Sequence, residues 1–150
     1  MPFTAGQKLR ASQLQNIQPI TYNAVQTGNG GGQQAVTTTE TDCLAASVTF
    51  TSLTAANCLL VASFDLDVAA TGATIAQGRV NVDGATITTP EAHLSGSSVT
   101  RNTATENWTF TLSAAGVHTV KLRILKTAAL ATINCVDLHT RFSLIVSEVV

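Results

Sequence analysis

The chain has 150 residues and a mass of 15.6 kDa, enough for one core and too little for two. Eight basic residues against nine acidic give a net charge of −1, which excludes the Lys/Arg surplus of a nucleic-acid groove or a polybasic membrane patch. An apolar fraction of 45% argues against disorder, no apolar run approaches a membrane span, and the opening MPFTAGQKLR lacks the apolar centre of a secretory signal.

The first segment, residues 1–27, reads as an arm. Ser12 and Gln15 form a capping box for a short helix that Pro19 ends. One or two turns are unstable alone, so Phe3, Leu9, Leu14 and Ile17 are the residues expected to anchor the arm on a neighbour. Residues 28–34, nearly all Gly and Gln, read as a joint. They lack the Lys-Ser/Thr of a phosphate-binding loop.

From residue 35 to 150 the pattern is strands. Val48 and Phe50 alternate with Thr49 and Thr51. The next run opens continuously apolar, Cys58 to Val61, and then places Phe64, Leu66 and Val68 opposite Ser63, Asp65 and Asp67. Thr74–Val82 leads through Asp83-Gly84, a strong hairpin signal, into Ala85–Thr89, which stops at Pro90. Glu91–Thr105 is polar and reads as a long loop. Trp108, Phe110 and Leu112 share one face, and Val120, Leu122 and Ile124 another. The two runs meet at Ala115-Gly116 and read as a hairpin. Ile133–Val149 reads as one long strand. About eight antiparallel strands with polar turns predict an all-β chain: a jelly-roll-like β-sandwich behind an N-terminal arm with a short helix.

Little here can carry catalysis. Asp65 and Asp67 leave one strand face together, which reads as two solvated charges rather than a Ca²⁺ site. His93, His118 and His139 lie in no nucleophile motif, and Cys43, Cys58 and Cys135 have no zinc spacing. The cysteines read as buried free thiols, which fits synthesis in a reducing cytoplasm. Trp108 reads as core. No enzyme activity, cofactor or metal is therefore expected. Twenty-four threonines on a sparsely charged chain suggest a surface partly covered by copies of itself or by a larger assembly.

The stretch Phe3-Thr4-Ala5-Gly6-Gln7-Lys8-Leu9-Arg10-Ala11-Ser12-Gln13-Leu14-Gln15 resembles the N-terminus of many virion proteins of tailed bacteriophages. The segment from Trp108 to Arg123, with Ala114-Ala115-Gly116-Val117-His118-Thr119-Val120-Lys121-Leu122, is similar to a recurrent hairpin of their β domains. Together they cover about a fifth of the chain. Gln15 departs from the Asn usual in that pattern. The resemblance implies a non-enzymatic minor tail, tail-fibre-like or head-decoration protein located in the virion, often trimeric, with other virion proteins as partners. The alternative from a second class is an adhesin module that binds a host surface glycan through the 91–105 loop, with His93 and Arg101 as contact residues.

Overall fold

A computed structural model describes residues 18–28, 32–68, 74–96, 100–127 and 132–149. The anchoring candidates Phe3, Leu9, Leu14 and Ile17, and the short helix expected from Ser12, lie outside these. Ten strands occur among the described residues: β1 (Ile20–Val25), β2 (Gln33–Ala35), β3 (Thr41–Ser52), β4 (Ala56–Val68), β5 (Thr74–Val82), β6 (Ala85–Gly96), β7 (Thr100–Leu112), β8 (Gly116–Lys126), β9 (Ile133–Val136) and β10 (Arg141–Glu148). No helix occurs among these residues.

They form two antiparallel sheets. In the first, β4 is paired with β7 along its whole length. Its other side takes β10 over Ala56–Ser63 and β9 over Leu66–Val68. β1 extends the sheet beyond β10, and β2 extends it beyond β9. The second sheet runs β3-β8-β5-β6. Consecutive strands lie in different sheets six times, at β2–β3, β3–β4, β4–β5, β6–β7, β7–β8 and β8–β9.

Period-two alternation explains the core, because alternate side chains leave opposite faces of a strand. Leu60, Ala62, Phe64 and Leu66 of β4 and Phe142, Leu144 and Val146 of β10 point inward from the first sheet. Val80, Val120, Leu122 and Ile124 meet them from the second. Trp108 is fully buried, packs edge-on against Phe64 with centroids 6.3 Å apart, and donates its indole N–H to the Pro90 carbonyl at 2.8 Å. Gly78 of β5 lies directly against the Phe64 ring of β4 across the sandwich. A Cβ there would lie 2.5 Å from the Phe64 ring, so only glycine fits.

Several expectations are corrected. The polar stretch 91–105 is not one long loop. It forms the ends of β6 and β7, joined through 97–99, and β6 runs through Pro90 instead of stopping there. Pro is tolerated because β6 is an edge strand. The Trp108–Arg123 segment is not a hairpin. β7 pairs with β4 in one sheet, while β8 pairs with β3 and β5 in the other. Ile133–Val149 is two strands broken by a turn at residues 137–140, where Leu138 has φ 64°. The structure also draws residues 20–25 of the arm segment into the first sheet as β1, and residues 33 and 34 of the joint, with Ala35, into the same sheet as β2. Gln26 is fully buried, and its side-chain amide donates to the Cys135 carbonyl and to Asp137.

Candidate functional site

The two outer faces differ in chemistry. On the second sheet a continuous ion-pair network runs across the strands. Arg79 bridges Glu91 and Glu40, Arg123 bridges Glu40 and Asp42, and Lys121 ends on Asp42. His93 Nε2 lies 3.2 Å from Glu91. Partial burial alone would push the Asp42 carboxyl up. Hydrogen bonds and charge from Lys121 and Arg123 outweigh it and hold the group below the usual carboxylate range.

The outer face of the first sheet lacks such charges over three successive cross-strand rows. One row reads Thr21, Ile145, Leu59 and Thr109 from β1 to β7, and the next reads Asn23, Ser143, Val61 and Asn107. Ser147, Asn57 and Thr111 complete the third. Leu59 and Val61 are each 39% exposed at its centre. A shallow hollow of about 360 Å³ lies here, between Asn57, Leu59, Thr109 and Ile145. The sequence signal was the unbroken apolar run Cys58–Val61, which gives both faces of one strand apolar side chains.

One end of the sandwich is also apolar. The connections 53–55, 83–84 and 113–115 lie there, as do the start of β1 at Ile20 and the end of β10, followed by Val149. Ile20, Leu53, Val117 and Val149 are all exposed at this end, Val117 by 70%. Asp83 caps the β5–β6 turn beside them. It accepts the Thr119 N–H at 2.7 Å and lies 2.7 Å from His118 Nδ1. Burial alone would push the Asp83 carboxyl up, but these bonds and the His118 charge hold it below its ordinary value.

Asp65 is not the solvated charge its sequence position suggests. It is only 6% exposed, and the Arg101 guanidinium grips both carboxylate oxygens at 2.8–3.1 Å. His139 Nδ1 is 3.8 Å away. Central placement of β4, with β7 on one side and β9 on the other, is what buries it. Asp67 accepts a bond from Gln33 at 2.9 Å.

His93 and Arg101, the two glycan-contact candidates, are not brought to one site. Arg101 is committed to Asp65 on the first sheet. His93 lies on β6, at a polar groove of about 500 Å³ where the edges of the two sheets face each other. Glu91, Asn102, Thr103 and Glu106 line that groove with it.

The three thiols are free and buried. A hydrogen bond with Cys135, together with burial, pushes the Cys43 thiol well up, and burial pushes Cys58 up to about 11, so neither is a ready nucleophile at neutral pH. Among the described residues no group of three or more His, Cys, Asp or Glu could hold a metal ion, and no helix is long and apolar enough to cross a membrane.

An all-β sandwich of two antiparallel sheets with repeated crossings between them defines a jelly-roll-like protein. No protein-family model matches the chain, and no curated protein sequence does either. Among solved structures, the Eiger TNF of S. frugiperda matches with a TM-score of 0.52 at 13% identity, over 87% of this chain and 93% of that one. A structure of infectious bursal disease virus, Gx strain, gives 0.49 at 13% identity over 87% of this chain and 36% of that one. Murine APRIL gives 0.42 at 14% identity over 83% and 98%. At these identities the likeness concerns the fold alone.

Proposed function

We propose that the chain is a non-enzymatic structural protein of a tailed-bacteriophage virion. It is anchored to the tail or capsid surface by its N-terminal segment and displays the sandwich as a homotrimer. One observation carries this reading: β1, the strand that follows the N-terminal segment, begins at Ile20 on the same end of the sandwich that exposes Leu53, Val117 and Val149. An anchor needs a greasy surface next to its tether, and burying each large aliphatic side chain contributes about 1.5–3 kcal/mol before ordering costs. The resemblance of residues 3–12 to virion proteins supports it, as does the low charge of the chain. The test is mass spectrometry of gradient-purified phage particles. The chain should be present in a fixed copy number, tens for a tail position and hundreds for decoration, and Leu53→Asp with Val117→Asp should reduce retention at least tenfold. Absence from purified particles would refute the proposal.

A second reading has one observation in its favour, the open polar groove between β6 and β7. A host glycan could lie along its carboxylates, amide and hydroxyls, as in the adhesin alternative. His93→Ala with Glu106→Gln should then abolish host adsorption, whereas unchanged adsorption and an empty glycan array would remove this reading.

A further inference from the structure

We infer that the uncharged outer face of the first sheet is where copies of this chain meet, the Leu59–Val61–Ile145 surface of each copy turning inward toward the same surfaces of the other copies about their common axis. This rests on the homotrimer reading above and names its interface. Three features point to a like partner. The first is chemical self-complementarity. Asn23, Asn107 and the flanking threonines can each both donate and accept a hydrogen bond, so like faces brought together about one axis can satisfy one another without opposite charges. The second is the lack of anything for a charged partner to pair with. A carboxylate or ammonium pressed onto these rows would lose its water without compensation. The third is the contrast with the other sheet, whose outer face carries Arg79, Arg123, Lys121 and three carboxylates already joined to each other. The ionic groups of this sparsely charged chain are concentrated away from the central rows of the first sheet, where three aliphatic side chains lie among amides and hydroxyls.

Native mass spectrometry and light scattering of the full-length chain across a hundredfold range of concentration test the inference. The wild type should form a discrete oligomer. Leu59→Lys with Val61→Lys should lower its order to monomer, or weaken association at least a hundredfold, with an unchanged far-ultraviolet circular dichroism spectrum. Thr49→Lys, on the exposed face of the second sheet, should leave the order unchanged. Leu59→Cys guards against a variant that fails to fold. Under mild oxidation it should give an interchain disulfide, and Thr49→Cys should not. A wild type that is monomeric throughout, a double-lysine variant that keeps full order, or interchain cross-linking through Thr49→Cys alone would overturn the inference. An oligomer that forms as described, from a chain absent from phage particles, would instead count against the virion reading and leave the interface standing.

Discussion

At the scale of single residues, packing and charge make separate demands. Gly78 is held by the Phe64 ring, so Gly78→Ala should cost about 1–3 kcal/mol through overpacking, read as a lower denaturation midpoint at constant slope. Trp108→Phe leaves the Pro90 carbonyl without its donor and should cost about 1–3 kcal/mol. Asp42 and Asp83 set the acid response. Both carboxyls are held below the ordinary value in the folded chain. The unfolded chain therefore binds protons first as pH falls. Their contribution is complete above about pH 4 and is lost as pH drops through the folded values. Thermal melts should show the melting temperature falling below about pH 4, and Asp42→Asn with Asp83→Asn should lower the neutral-pH value while flattening that fall. A fall of equal steepness in the double variant would contradict the assignment.

At the scale of elements, β7 is fastened by two unlike devices. Its second half is held by buried Trp108, its first half by the Arg101–Asp65 pair. Arg101→Ala should speed hydrogen exchange at the amides of residues 100–106 while those of 107–112 stay protected. Equal acceleration across β7 would mean that it opens as one unit. This strand also shows how far a sequence can be read. Alternation identified the inward set Phe64, Leu66, Trp108, Leu122 and Ile124, because burial of one face imposes a period of two. It could not name partners. Trp108–Leu112 and Val117–Ile124 look like hairpin arms, yet the three-residue link 113–115 carries the chain across to the other sheet. Asp65 likewise looked solvated because its guanidinium partner is 36 positions away. The 91–105 stretch looked like a loop because edge strands with one polar face carry little apolar signal. The exposed pair Leu59 and Val61 was legible as a continuous apolar run, but its charge-free surroundings appear only once β1, β10 and β7 are placed beside β4.

At the scale of the whole molecule, the sandwich is polarised in two directions. One face is ion-paired and the other neutral. One end carries exposed aliphatics beside the start of β1, and the opposite end carries the last residue of β4, Val68, with its partners Thr100 of β7 and Ile133 of β9. This polarity is what a repeated part of a larger particle requires: a side that meets its copies and an end that meets the particle. The most direct measurement is cryo-electron microscopy of purified phage particles carrying an antibody fragment against this chain. The account predicts threefold-symmetric density on the tail or capsid surface, with the neutral faces inward and the Leu53–Val117 end toward the particle. Particles that bind no antibody fragment, or isolated single copies seated by the opposite end, would contradict it.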